Sequence, residues 1–489
     1  MRLIVILLVA VLSNVFGIQI IEEFLKKTVD YLSDPCDDFY RHVCPLGTNS
    51  LLLMEMIKAD IKETVSPGIW KDLQITGDFD LTPYNDHLID EVAYFYNETC
   101  RNGGDLNLIF EKYGAPEYDY LTSDPDCNRV TQFLLEVLNQ SDTYYKELFT
   151  AYRSTLNVYA TNIEYISYHL DQNLEDQIEE INIMVEETKF IAEQWILDTP
   201  WANNHQAVNI TFKALEKTVL NNKYAKIMKD SIEKLLEAEL FYRDCKQGFE
   251  NNPKARTLCF VNFIDQHPNF EQLTDEDQFF MNPEIDNAFN AFPQLGFGFP
   301  IYYLAKNTEN FAAKIAFLGA NVGHEVSHTL IKGKDDEVLT YFSDAAVECI
   351  QNQYNSTCQE FEEDSCDTHD LQIDENGSDI LGFQLTYQLL LDQHGDELQN
   401  IYQPLNMTNQ QLFFYTNAMS MCSGEPGVVA KKEDGSLDEH ATSNIRMNAV
   451  VNHPAFKEAF KCSDDSRMMR SATEQCIIYG KGAPQNKRH

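Results

Sequence analysis

Past its first dozen residues the chain has no hydrophobic run long enough to span a membrane. Leu295 to Ala305 is apolar but broken by Gly296, Gly298 and Pro300, and Lys314 interrupts the next such run. About 20 consecutive apolar residues would be needed for a spanning helix, so no anchor is expected in the mature chain. Positive charge is also scarce. Lys and Arg together number 37 against 77 Asp and Glu, a formal net charge of -40. That balance argues against nucleic acid and anionic membrane surfaces as partners, and mildly against very acidic substrates. No two cysteines form a Cys-x-x-Cys pair, which excludes the usual structural zinc knuckle. No internal repeat is visible.

What is present begins with Met1-Arg2-Leu3 and an apolar run to Leu12, followed by Ser13-Asn14-Val15-Phe16-Gly17. A basic start, a short apolar stretch and small residues describe a signal peptide over 1–17, and hence a secreted, extracellular protein. All 12 cysteines lie beyond it. An even number in a secreted chain implies six disulfides. Sequons at Asn97, Asn139, Asn209, Asn355, Asn376 and Asn406 suit glycosylation wherever the asparagine is exposed. The 489 residues allow two or three domains with a substantial core.

Apolar residues recur at helical spacing through most of the chain. Helices are predicted over Ile18–Leu32, Leu51–Thr64, Tyr84–Asn97, Val130–Leu138, Glu175–Leu197 and Val219–Phe241. Glycine and proline become frequent past 280, and Leu295–Pro300 reads as a strand. Phe311–Val322 is again helical, with Asn307 or Thr308 as its cap. Tyr341–Tyr354 and Asp374–His394 follow, the latter stopped by Gly395. Lys332–Leu339, Gln359–Asp370 and 423–437 read as loops, and 481–489 as a polar tail. The fold class is therefore mainly α, with a small α+β content in the region past 280.

The stretch Gly323-His324-Glu325-Val326-Ser327-His328 continues the 311–322 helix. Residues four apart share a helical face, so His324 and His328 point the same way with Glu325 beside them. Two imidazoles are two ligands of a tetrahedral zinc, and the glutamate can polarise a water at an open position. The same pattern also arises by chance. A third ligand is required, and Glu375 at the start of the next long helix is the best candidate. Asp379 lies four residues on and can accept the free N–H of a ligand histidine. Both carboxylates can equally be first-turn acids placed by the helix dipole.

These motifs resemble the neprilysin and endothelin-converting enzyme family of zinc metallopeptidases, the M13 peptidases. Glu375-Asn376-Gly377-Ser378-Asp379 looks like the family's Glu-Asn-x-x-Asp segment, and Asn287-Ala288-Phe289 like its substrate-binding segment. Asp438-Glu439-His440 with Arg446 matches its late Asp-x-His and arginine. Cys36-Asp37-Asp38-Phe39-Tyr40 and Glu458-Ala459-Phe460-Lys461-Cys462 match its opening and closing patterns. The matches keep the family's order and cover 36 to 476.

The resemblance implies a two-lobed zincin-type fold with a reduced helical lobe. The expected organisation is a segment 18–99 packing on the catalytic lobe, a helical lobe 100–270, a zinc-binding lobe 271–480 and the tail. It implies one zinc ion held by His324, His328 and Glu375, with Glu325, His440 and Asp379 as catalytic residues. Asn287, Ala288 and Arg446 would bind peptide substrate. It implies the pairings Cys36–Cys462, Cys44–Cys422, Cys100–Cys259 and Cys349–Cys476. Cys358–Cys366 would close a local loop, and Cys127–Cys245 remain.

Several positions depart from the family pattern. The family follows its second histidine with Gly-Phe-Asp, and that aspartate orients the histidine. Here Thr329-Leu330-Ile331 stand there, so His328 is expected to lack a carboxylate partner and zinc to be held more weakly. Asn321, Ser420 and Met421 replace apolar residues of a side pocket. Asn376, next to Glu375, should be buried and unmodified, leaving Asn97, Asn139, Asn209, Asn355 and Asn406 as glycan acceptors. The helical lobe between Cys100 and Cys259 is short.

The function implied is a secreted zinc metalloendopeptidase acting on small or signalling peptides. The alternative is a weakened or inactive zinc-binding homologue that binds peptides or proteins. A disulfide-stabilised structural protein without metal fits the composition but not the joint set of motifs.

Overall fold

A computed structural model describes residues 16–45, 50–64, 174–221, 244, 247–248, 287–331, 344–361, 372–422, 439–471 and 475–483. The helices expected at Tyr84–Asn97 and Val130–Leu138, the loops at Lys332–Leu339 and 423–437, and most of the expected 100–270 lobe lie outside these residues. Two compact units are formed. Nearly all the described residues belong to the one built from 1–65, 171–225 and 282–489.

That unit is mainly helical. In chain order it contains α1 (Phe16–Thr28), α2 (Phe39–Val43), α3 (Ser50–Thr64), α4 (Leu174–Asp198) and α5 (His205–Lys217). Then come β1 (Val219–Leu220), β2 (Ala288–Ala291), β3 (Gln294–Phe297), α6 (Phe299–Asn307), α7 (Phe311–His328), α8 (Asp344–Phe361) and α9 (Ile373–His394). It closes with β4 (Ile401–Tyr402), β5 (Met407–Thr408), α10 (Asn409–Met419), α11 (Ser443–Val450), α12 (Pro454–Phe460) and α13 (Arg467–Ser471).

Several boundaries differ from the sequence expectation, each for a local reason. Helix α1 ends at Thr28, short of Leu32, because the Asp30 amide donates to the His42 carbonyl and the Asp30 side chain accepts from the Leu32 amide. Val219 does not open a helix. It pairs in parallel with Gln294, making β1 the third strand of a sheet ordered β1-β3-β2. The expected strand at Leu295–Pro300 is shifted, since Pro300 occupies the first turn of α6, where its missing N–H costs nothing. Asn307 and Thr308 end α6, so α7 is capped instead by Asn310, whose side chain accepts from the Ala312 and Ala313 amides. Helix α8 runs on through Gln359 to Phe361. Gly395 keeps right-handed dihedrals and leads into a 3₁₀ turn, Gly395–Glu397, so it does not stop the chain in the expected left-handed way.

Two helices organise the unit. Helix α9 is buried on nearly all sides from Ile373 to Leu390, and α7 lies along it with Ala312, Ile315, Ala316, Leu318 and Val322 inside. Glycines let the two backbones approach. A Cβ on Gly382 would sit 2.5 Å from the His324 nitrogen, and one on Gly323 would sit 2.5 Å from the Gly382 oxygen. Either contact is closer than real carbon atoms come.

The start of the chain is tied to its end. Phe39 packs edge-on against Phe456, with ring centroids 4.9 Å apart, and lies 5.3 Å from Phe460. The Tyr40 amide donates to Asn448 Oδ1. Cys36 is bonded to Cys462, Cys44 to Cys422 and Cys349 to Cys476. Cys358 is disulfide-bonded as well. Cys100, Cys127, Cys245, Cys259 and Cys366 lie outside the described residues.

A candidate His-His-Glu metal centre

The site is built where the last turn of α7 crosses the first turns of α9. Helical spacing puts His324 and His328 on one face, with ring centroids 4.7 Å apart. Glu375 projects between them. His324 Nε2 lies 3.0 Å from His328 Nε2 and 3.1 Å from Glu375 Oε2, while His328 Nε2 lies 3.6 Å from that oxygen. Ligands about 2.05 Å from a tetrahedral zinc stand about 3.3 Å from one another, so the three atoms are spaced to hold such an ion. They are also the group of metal-ligating side chains found among the described residues.

The outward nitrogens matter equally. His324 Nδ1 is 2.9 Å from Asp379 Oδ1. With a metal bound, that contact would select the Nδ1–H tautomer and turn the Nε2 lone pair toward the shared centre. Asp379 is 4 % exposed, and its own charge is held by a two-pronged contact from Arg446 and by the Tyr354 hydroxyl. Burial alone would raise the Asp379 carboxyl, but the Arg446 guanidinium and the hydrogen bond from His324 keep it well below its ordinary range. Glu375 behaves alike: burial raises it, while bonds from His324 and His440 and the charge of His328 bring it far down. His324 is pushed up to about 10, because the bonds to Asp379 and Glu375 outweigh its burial. The cluster is thus a strong attractor for positive charge.

Glu325 is 5 % exposed, and burial pushes its carboxyl up against the pull of the two histidines. A raised carboxyl is a better base near neutrality. Strand β2 meets this helix end: Asn290 Nδ2 donates to the Glu325 carbonyl and to Thr329 Oγ1. His440 is more open, its side chain 41 % exposed, with Nε2 3.0 Å from Glu375 Oε2. Asn287 is exposed at the start of β2, its Oδ1 accepting from the Ala288 amide.

The two histidines, Glu325, Glu375, Asp379, His440 and Arg446 line one cleft of about 450 Å³. Its far wall carries Phe317, Asn321, Phe383, Asn417, Ser420 and Met421. Of the polar residues there, Asn321 donates to the Phe317 carbonyl and Ser420 to that of Asn417.

One expectation is corrected. His328 does not lack a carboxylate, since Asp374 Oδ1 lies 3.3 Å from its Nδ1. Arg446 gives Nε and Nη2 to Asp379. Asp374, Tyr354 and Asn290 were not singled out by sequence. Asp374 had a signal, being an acid beside Glu375 on the same first turn. The other two have none without the packing. Among the sequons, Asn376 is fully buried, Asn209 and Asn406 are exposed and Asn355 is half-buried, while Asn97 and Asn139 lie outside the described residues.

Two imidazoles one turn apart and a carboxylate from the next long helix, with a buried glutamate beside them, form a group that could hold one metal ion on a mainly helical frame. Residues 284–476 match the model of peptidase family M13. Over 177 residues, 33% of this chain and 23% of the relative, the sequence is 29% identical to Neprilysin-1 of Caenorhabditis elegans. This segment is similar to family M13, and over part of it to neprilysin. The match spans less than a quarter of that relative. Solved structures similar to it include the Mycobacterium tuberculosis zinc metalloprotease ZMP1 in complex with an inhibitor. That one is 18% identical over 62% of this chain and 47% of the other, with a TM-score of 0.40. Another is a galactose-containing glycoprotein complex from Haemonchus, 15% identical over 94% of this chain and 98% of the other, with a TM-score of 0.46.

Proposed function

We propose that this protein is a secreted zinc-dependent endopeptidase acting on peptides. The observation that carries the reading is the spacing of His324 Nε2, His328 Nε2 and Glu375 Oε2 beside the buried Glu325 in an open cleft. Zinc bound there would lower the pKa of a water and polarise the scissile carbonyl. The chain's own residues then do the proton work. Glu325 takes the proton from the water and hands it to the departing amine. His440, within reach of the same centre, donates to the oxygen that becomes negative. Asn287 and the backbone around Ala288 align the peptide as an added strand on β2. Asp379 and Arg446 hold His324 rigid from behind, and Arg446 Nη1 is the part of that fork left for a substrate carbonyl. Secretion is supported by the leader at 1–17, the disulfides and the exposed sequons Asn209 and Asn406. No helix among the described residues is long and apolar enough to cross a membrane.

The test is cleavage of a mixed peptide library by the purified full chain, with metal content measured on the same sample. One zinc per chain and chelator-sensitive cleavage are expected, and Glu325→Gln should lower turnover at least 100-fold with zinc retained. Equal turnover in the variant would overturn the assigned base. Bound zinc with no cleavage in either protein would favour a peptide-binding homologue, a reading the polar wall of Asn321, Asn417 and Ser420 also suits.

A further inference from the structure

We propose that Asp374 is the carboxylate that orients His328 for zinc, taking from the first turn of α9 the task that Ile331 cannot perform. This rests on the metal-centre reading above and adds a positioning residue to it.

The need is physical. An imidazole that binds metal through Nε2 must carry its proton on Nδ1, and a carboxylate facing Nδ1 selects that tautomer and raises the basicity of the other nitrogen. His324 has this partner in Asp379. For His328 the residue three positions on is Ile331, which is fully buried. Its side chain fills the space left by Gly377: a Cβ at that position would meet Ile331 Cγ2 at 2.8 Å and Ile350 Cδ1 at 3.0 Å. This is an apolar niche, and no carboxylate belongs in it without a partner.

Asp374 approaches from the other side. Its Oδ1 is buried, has no hydrogen-bond donor satisfying it, and stands 3.3 Å from His328 Nδ1. The pair is at ion-pair distance but is not aligned as a hydrogen bond. A buried oxygen left unsatisfied is costly, on the order of 1–3 kcal/mol. A proton on His328 Nδ1 answers it, and that proton leaves Nε2 free toward Glu375. Helix α9 would then supply every acid that faces a nitrogen of these two imidazoles: Asp374 behind one, Asp379 behind the other, and Glu375 between. An Asp in a first turn can also be a plain complement to the helix dipole, and the test separates the two roles.

Zinc dissociation constants would be measured by competition with a chromogenic chelator for the full chain, Asp374→Asn and Asp374→Ala, at low and high salt. Melting temperatures of the metal-free forms would be taken alongside. A positioning role predicts a graded series. Alanine weakens zinc 10- to 100-fold, and asparagine weakens it less, because its side-chain oxygen still accepts from Nδ1. The loss persists at high salt, and the metal-free melting temperatures stay together. Zinc affinities within twofold of the parent, equal losses for Asn and Ala, or losses that vanish in salt would each overturn the proposal while leaving the metal centre standing. A parent protein that takes up no zinc would overturn both.

Discussion

His453 shows what one buried side chain can carry. Its ring centroid lies 4.8 Å from that of Tyr387 and 5.8 Å from that of Phe383, and its Nδ1 accepts from the Ala455 amide at the start of α12. Burial pushes its pKa down to about 4. The folded state thus favours neutral imidazole, and a proton would also destroy the cap. The free histidine titrates near 6.5, so this contribution is whole above that pH and is lost as pH falls through about 4. The loss amounts to about 3 kcal/mol at most. Asparagine caps helices without titrating in this range. Melting curves at pH 7 and pH 4.5 should therefore show a smaller acid shift in His453→Asn than in the parent. Equal shifts would mean the ring is not buried neutral.

At the scale of elements, the site depends on how closely α7 and α9 approach. The His324 nitrogen lies 2.5 Å from where a Cβ on Gly382 would stand, so Gly382→Ala must push the helices apart. Overpacking of this kind costs typically 1–3 kcal/mol. The displacement would fall on the pair that sets the distance between His324 and Glu375. A lower melting temperature together with weaker zinc binding is expected, whereas Gly395→Ala, with open space around its Cβ position, should alter neither. Unchanged zinc affinity in Gly382→Ala would show that the centre tolerates a wider crossing. The helices themselves were legible in the sequence. The glycine contacts were not, since helical periodicity says which face is apolar but not which residues lie at the point of crossing.

Across the whole molecule, two nested disulfides bind the chain on either side of α2 to the segments that follow α10 and α12. With Cys44–Cys422 intact, removing Cys36–Cys462 frees a loop of only about 50 residues, a cost in the range of about 2–4 kcal/mol. Removing both also releases the 378-residue separation that the inner bond spans. The double removal should thus destabilise by more than the two single removals together. Denaturant unfolding of the paired alanine variants would check this, and simple additivity would show that the aromatic contacts of Phe39 already hold the ends.

The amino-acid sequence by itself determined which candidate ligands share a helical face. The spacing of His324 and His328 in one helix, and of Glu375 and Asp379 in another, follows from 3.6 residues per turn and from nothing further away. The resemblance of residues 284–476 to family M13 was legible for the same reason, because the motifs that carry it are local. Only the tertiary structure decided which acid stands behind which imidazole. Whether Ile331 leaves His328 bare depends on the axial setting of α7 against α9, which brings Asp374 within 3.3 Å and packs Ile331 over Gly377. The commitment of Arg446 to Asp379 joins residues 67 positions apart. Such contacts are fixed by the crossing of two helices, and no repeat along one of them encodes where they meet.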